Sequence, residues 1–135
     1  MPTPSKSEKL TVSGEEHIVG VRQATRRLAV EIKLSLVDQT KIVTAASELA
    51  RNLLVYGGGG EVTLEVLEQG LRKGLRLHFV DHGPGIPDIE QALRDGFTSG
   101  RGMGLGLGGA KRLVNEFHIE SEPEKGTHVT ITRWK

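Results

Sequence analysis

The hydrophobic residues in the first half of the chain recur every three to four positions, which is the period of an α-helix. One such segment runs from Glu15 to about Leu34, and a second runs from about Val37 to Val55. Ser35, three residues before Asp38, resembles a helix cap at the start of the second segment. The pattern therefore predicts two amphipathic helices, the second of which ends at glycines 57–60.

Beyond residue 60 the hydrophobic period changes to two, which is typical of half-buried β-strands. Alternating residues at 62–66 and 75–79 predict a hairpin. The C-terminal segment "FHIESEPEKGTHVTITRW" predicts two more strands around a turn, and "KLTVSG" predicts a short strand before the first helix. Further helical segments are predicted at Asp88–Leu93 and from about Leu107 to Glu116.

These elements predict an α+β fold, with a mostly antiparallel sheet and helices on one face. We expect a single domain over residues 9–135, preceded by a flexible terminus at residues 1–8, which are rich in Pro, Ser and Lys. A chain of 135 residues is long enough to bury one hydrophobic core.

Composition narrows the function classes. Every apolar run is shorter than the stretch of about 18 residues that a membrane span needs, and the N-terminus lacks the apolar region of a secretory signal. The net charge of +1, with 4% aromatic residues, argues against nucleic acid as a partner. The absence of cysteine excludes disulfides and thiolate metal sites. We therefore expect a cytoplasmic protein that binds neither membranes nor nucleic acid.

The segment "GRGMGLGLGGA" at residues 100–110 contains six glycines and matches the G-x-G-x-x-G pattern of dinucleotide-binding folds. That fold requires a hydrophobic strand before the glycines, whereas the preceding residues "RDGFTSGRGM" are polar. A flexible surface loop is the simplest alternative. However, glycines that lead into a helix also expose backbone N–H groups, which bind phosphate.

Two other segments carry candidate side chains. Glu48 and Asn52 are four residues apart in "SELARN", so on a helix they share one face. Asn can offer an oxygen to Mg²⁺, and Glu can accept a proton, although a solvated helix face is the simpler interpretation. In "DHGPGI", Asp81 ends an apolar strand and could accept a hydrogen bond from an exocyclic amine such as that of adenine, or could merely cap a turn.

The order of these motifs is more specific than any one of them. E-x-x-x-N on a helix, D-x-G-x-G after a strand, G-x-G-x-G before a helix and then Gly126-Thr127 resemble the Bergerat (GHKL) ATP-binding sandwich. Histidine kinases, gyrase-type topoisomerases, a class of heat-shock chaperones and anti-sigma serine kinases share this two-layer fold with its mixed, mostly antiparallel sheet. "SELARN", "DHGPGIPDIEQALRDGFTSG" and "GLGGAKRLVNEF" are similar to the RsbT-type switch kinases of the stressosome.

The resemblance implies a serine/threonine kinase that uses ATP and Mg²⁺ and phosphorylates STAS-domain proteins. Once released, such a kinase activates a metal-dependent serine phosphatase in a stress or sigma-factor pathway. By matching positions it implies Glu48 as the catalytic residue, Asn52 as the Mg²⁺ ligand, and Asp81 and Thr127 at the adenine. The remaining nucleotide-binding positions that it implies are Gly83, Gly85, Arg101, Gly102, Gly104, Leu105, Gly106 and Leu107.

Two alternatives to this hypothesis differ in chemistry. A histidine autokinase would need an acceptor histidine, but His17 lies on a helix that the sandwich itself requires. A nucleotide-gated protein that sequesters a sigma factor or another partner, without essential kinase activity, remains open. Glu48 distinguishes this binding protein from a kinase, because only phosphoryl transfer needs its carboxylate.

Overall fold

The computed structural model of the protein describes residues 3–83, 106–122 and 124–135. The described chain forms five strands and three helices. In chain order they are β1 (Thr3–Val12), α1 (Glu15–Glu31), α2 (Leu36–Val55), β2 (Gly60–Gln69), β3 (Arg72–Asp81), α3 (Gly106–Arg112), β4 (Glu116–Glu122) and β5 (Gly126–Trp134).

The strands form one sheet in the order β1-β2-β3-β5-β4, and every pairing in it is antiparallel. Leu64, Leu77 and Ile131 lie side by side on the three central strands, and each is fully buried. The apolar faces of α1 and α2 cover this side of the sheet, where Leu28 and Leu49 join the same core. The predicted α+β sandwich is therefore confirmed.

The first helix ends three residues earlier than its hydrophobic pattern suggests. Lys33 adopts the left-handed region with φ of 64°, and the Leu34 N–H turns back to donate to the carbonyl of Ala29 at 3.0 Å. This closure satisfies the last carbonyls of α1 while Leu34 still reaches the core. Hydrophobic spacing alone does not detect the end, because the buried residues continue beyond the helix.

The helix predicted to reach Glu116 ends at Arg112, and Glu116 begins β4 instead. The Asn115 N–H donates to the Thr132 carbonyl at 2.9 Å, and the Asn115 side chain accepts from the Trp134 N–H at 2.7 Å. Pairing with β5 thus replaces the last helical turn, since these hydrogen bonds join parts of the chain that are distant in sequence.

β1 begins at Thr3, several residues before the short strand predicted from "KLTVSG". Polar side chains of β1 form ion pairs with side chains of α1 instead of packing into the apolar core. Lys6 lies 3.0 Å from the Glu31 carboxylate, and Glu8 lies 2.7 Å from the Arg27 guanidinium. Because an edge strand needs few buried side chains, a polar sequence can continue the sheet here.

The other face of the sheet, which no helix among the described residues covers, carries a polar cluster. Glu65 Oε1 accepts from Arg76 Nε at 2.8 Å and lies 2.7 Å from His78 Nε2. His78 Nδ1 in turn lies 3.2 Å from His128 Nε2. Burial opposes ionisation of Glu65, but the hydrogen bonds from Arg76 and His78 prevail and lower its pKa. Burial and then the nearby His78 lower the pKa of His128.

The lowered pKa of His128 makes folding stability sensitive to mild acid. Below about pH 6.5 the unfolded chain binds protons that the folded His128 resists, so the free energy of unfolding should fall as the pH drops from 7 towards 5. Urea unfolding at several pH values measures this slope, which should flatten in His128→Gln. His17→Gln removes an imidazole at the start of α1, outside this cluster, and is the matched control. An equal slope in wild type and His128→Gln would contradict the assignment.

Candidate functional site

The carboxylate of Asp81 lies at the C-terminal end of β3 and is held by backbone donors. Asp81 Oδ1 accepts from the Gly83 N–H at 2.9 Å and from the Thr127 N–H at 3.2 Å. Among the described residues, Oδ2 accepts no hydrogen bond, and the residue is only partly buried. One oxygen therefore fixes the side chain, and the other is available to a ligand.

Three glycines from different segments pack closely around Asp81. A Cβ added at Gly57, just past α2, would lie 2.5 Å from Asp81 Cγ. One added at Gly126, which has φ of 96°, would lie 2.1 Å from the Asp81 carbonyl oxygen, and one at Gly83 would lie 2.9 Å from Gly57 Cα. Only glycine fits at these contacts, because a side chain would separate the segments that meet there.

Helix α2 brings the predicted catalytic and metal-binding side chains to the same end of the sandwich. The Asn52 carbonyl accepts from the Tyr56 N–H at 2.9 Å and from the Gly57 N–H at 3.3 Å. Asn52 thus lies one turn before the glycine that contacts Asp81, and Glu48 lies one turn further back on the same face. Both side chains are half-buried, and neither has a hydrogen-bond partner within the described segments.

Thr127 is nearly buried, with 9% of its surface exposed, and it borders Asp81 through its backbone N–H. Its hydroxyl lies 2.9 Å from the hydroxyl of Ser121 on β4. The structure therefore brings Asp81, Gly83 and Thr127 together in one cluster. From the sequence, Gly57 is expected only as part of the helix end. Ser121 is not among the predicted site residues, although aligning β4 with β5 across their turn places it opposite Thr127.

The predicted phosphate-binding segment is described only in part. α3 begins at Gly106, and Leu107 is buried in the core, so Leu107 can offer a ligand its backbone N–H but not its side chain. The other predicted positions lie outside the described residues. They are Gly85, Arg101, Gly102, Gly104 and Leu105, together with the helix predicted at Asp88–Leu93.

Other chemistry finds little support in the described part of the chain. Those residues contain no group of three or more His, Cys, Asp or Glu side chains that could hold a metal ion. His17 Nδ1 accepts from the Ser13 N–H at 3.0 Å, which is a capping contact at the start of α1. None of the described helices is both long and apolar enough to cross a membrane.

The fold and the site together define a class of nucleotide-using protein. The sequence pattern of the histidine kinase-, DNA gyrase B- and HSP90-like ATPases matches residues 37–135, and the chain belongs to this family. It is 43% identical over 120 residues to the serine/threonine-protein kinase RsbT of Bacillus subtilis, a match that covers 89% of this chain and 90% of RsbT. It is 28% identical to the anti-sigma F factor of Thermoanaerobacter sp. (strain X514), over 84% of this chain and 82% of that protein.

Solved structures agree on the fold. The RsbU and RsbW domains of a Mycobacterium tuberculosis protein match 98% of this chain with a TM-score of 0.68 and 22% identity, over 34% of that longer chain. A chain of the SiaB–SiaC complex of Pseudomonas aeruginosa matches 98% of this chain and 91% of its own, with a TM-score of 0.53 and 12% identity. At these identities the likeness supports the shared sandwich alone.

A substitution at Gly57 tests whether the position of the Asp81 carboxylate matters for ATP binding. In Gly57→Ala the new methyl group would displace the Asp81 carboxylate, so we expect ATP affinity to fall at least about tenfold. Gly20→Ala is the control, because nothing lies within 4 Å of a Cβ added there in α1. Isothermal titration with ATP should show a loss in the first variant only. Full affinity in Gly57→Ala would mean that ATP does not use this carboxylate.

Proposed function

We propose that the protein is a serine/threonine kinase that transfers the γ-phosphoryl group of ATP, with Mg²⁺, to STAS-domain proteins. The released kinase then activates a metal-dependent serine phosphatase in a stress or sigma-factor pathway of the cytoplasm. The observation that carries the proposal is the Asp81 carboxylate, with one oxygen held by two N–H groups and one left free. The identity to RsbT over nearly the full length of both chains supports the same activity.

Asp81 is suited to the adenine end of the nucleotide. Its free Oδ2 is an acceptor that matches the exocyclic amino group of adenine, whereas the carbonyl at the same position of guanine would repel it. Thr127 lies beside it, and Gly83 allows the backbone to approach the flat base. Gly85 is proposed to extend this pocket.

The phosphate end is proposed to lie between α2 and the start of α3. Backbone N–H groups from Gly104 to Leu107 would hold the phosphates, with Arg101 as an additional cation. The half-buried amide of Asn52 suits one position on Mg²⁺, which keeps most of its ligands as water and phosphate oxygens. Mg²⁺ would neutralise charge on the transferred group.

Glu48 is proposed as the catalytic residue. As the serine oxygen bonds to the γ-phosphorus and the bond to the ADP oxygen breaks, the serine proton passes to the Glu48 carboxylate. The Glu48 side chain has no hydrogen-bond or ion-pair partner among the described residues, so its carboxylate is left for the serine hydroxyl. Its place one helical turn from Asn52 would set it beside the metal-bound phosphate.

A second candidate function is a nucleotide-gated binding protein without essential kinase activity, which the likeness to an anti-sigma F factor favours. Both functions need ATP at Asp81, and only the kinase needs the carboxylate of Glu48. A substitution at Glu48 therefore separates them.

Glu48→Gln should abolish transfer without affecting binding. The amide keeps the size of the side chain but cannot take the serine proton, so we expect labelled phosphate to reach a STAS-domain acceptor at least about 100-fold more slowly. ATP affinity, measured by titration, should stay within about twofold of wild type. Glu68→Gln, which makes the same carboxylate-to-amide exchange at an exposed position on β2, is the control. If Glu48→Gln transferred phosphate at the wild-type rate, Glu48 would not be the base. If wild type itself transferred no phosphate, the nucleotide-gated binding protein would be the favoured function.

Asp81→Asn tests the adenine assignment with little disturbance of the fold. The Asn carbonyl can still accept from Gly83 and Thr127, while its NH₂ replaces the free oxygen and meets the adenine amino group donor to donor. We expect an ATP affinity at least about tenfold weaker, with an unchanged melting temperature. If the folded variant bound ATP as tightly as wild type, adenine would have to lie elsewhere.

A further inference from the structure

A groove between α1 and α2 lies on the surface of the helical layer, and the proposed function has not used it. Its volume is about 490 Å³. Residues of α1 and one residue of α2 line it: Val19, Arg22, Gln23, Arg26, Arg27 and Val43. This α1–α2 groove combines apolar side chains with a cluster of positive charge.

Two arginines in the groove have no partner within the described part of the chain. Arg27 lies 2.7 Å from the Glu8 carboxylate of β1. Arg22 and Arg26, by contrast, are exposed, lie one helical turn apart on α1, and form no hydrogen bond or ion pair with any described residue. A single exposed arginine is commonly just solvated, but two like charges one turn apart destabilise a helix slightly. The fold gains no ion pair from Arg22 and Arg26, so both guanidinium groups are available to a partner.

Apolar side chains border these arginines. Val43 is buried, yet it does not belong to the hydrophobic core that the helices share with the sheet. Val19 on α1 is half exposed, and Val30, which is also half exposed, follows Arg26 by one turn. The groove thus has an apolar side chain from α2 and an apolar stripe on α1 that extends from Val19 to Val30, a length of roughly 16 Å.

We propose that the α1–α2 groove is the docking surface for an acidic, amphipathic helix of the metal-dependent serine phosphatase that the kinase activates. Carboxylates one turn apart on that helix would pair with Arg22 and Arg26, while an apolar side chain between them would pack against Val19 and Val43. Charge complementarity carries this choice, because the whole chain has a net charge of only +1, whereas the lining of the groove contains arginines and no acidic residue. The inference rests on the proposed function for the identity of the partner.

The position of the groove on α2 distinguishes the phosphatase from the STAS-domain acceptor. Glu48 lies five positions after Val43, which places the two side chains about 140° apart around the helix axis. An acceptor serine must reach Glu48, whereas a partner that is bound without being phosphorylated needs no access to it. A helix in the groove would leave the side of α2 that carries Glu48 and Asn52 uncovered, so the groove suits a partner of the second kind.

Charge reversal of both arginines tests the docking surface. In the double variant Arg22→Glu/Arg26→Glu, we expect the affinity for the purified metal-dependent serine phosphatase of the same organism, measured by titration, to fall at least about tenfold. ATP affinity and phosphorylation of the STAS-domain acceptor should stay within about twofold of wild type. Arg51→Glu reverses an exposed helical arginine outside the groove, and as the matched control it should leave the phosphatase affinity unchanged. Added salt should weaken the binding of wild type more than that of the double variant, because exposed ion pairs are screened.

Failure of this inference can be told apart from failure of the proposed function. Unchanged phosphatase affinity in the double variant would overturn the docking surface while leaving the kinase in place. Weaker phosphorylation of the acceptor with unchanged phosphatase affinity would show that the groove holds the acceptor instead. If wild type bound the phosphatase but phosphorylated no acceptor, the kinase would fail as a proposal and the double variant would still decide the docking surface. A wild-type protein that does neither would overturn the proposed function and this inference with it.

Discussion

The close approach of Gly57 and Gly126 to Asp81 is the contact on which the geometry of the site depends. Gly57, just past α2, packs against the Asp81 side chain at the end of β3, and Gly126 at the start of β5 packs against the Asp81 carbonyl. The Asp81 carboxylate occupies the space that a side chain at Gly57 would fill. The position of α2 along the sheet is therefore set to within the size of a methyl group at this end.

The opposite end of α2 is fixed by a different interaction. Arg133 near the end of β5 donates to Asp38 at 2.6 Å, and it also donates to the carbonyl of Leu113, just after α3. The hydrogen bond from Arg133 is the largest cause of the lowered pKa of Asp38. With an ion pair at one end and a glycine contact at the other, α2 holds Glu48 and Asn52 at a defined distance from the sheet.

Sequence periodicity is sufficient to predict the helices and strands that form the two layers of the fold, because buried positions recur with the period of each element. It was insufficient where distant backbone pairing overrides the local preference, as at Asn115, where β5 takes up the last turn of a predicted helix. The expectation that Asp81 and Thr127 belong to one site comes from motif order. Gly57 could not be predicted in this way, because its importance comes from contacts with residues that only the folded sheet brings near.

The proposed roles are divided between two layers, the sheet and helix α2, which meet at Gly57. β3 and β5 supply the groups proposed for the base, and α2 supplies those proposed for the metal and the proton transfer. Gly57 follows α2 and packs against the Asp81 side chain, but no side chain of one set is hydrogen-bonded to the other among the described residues, so base affinity and phosphoryl transfer should vary independently. The same sandwich can therefore serve a kinase or a nucleotide-gated binding protein, and we propose that the residue at position 48 decides which chemistry follows once ATP is bound.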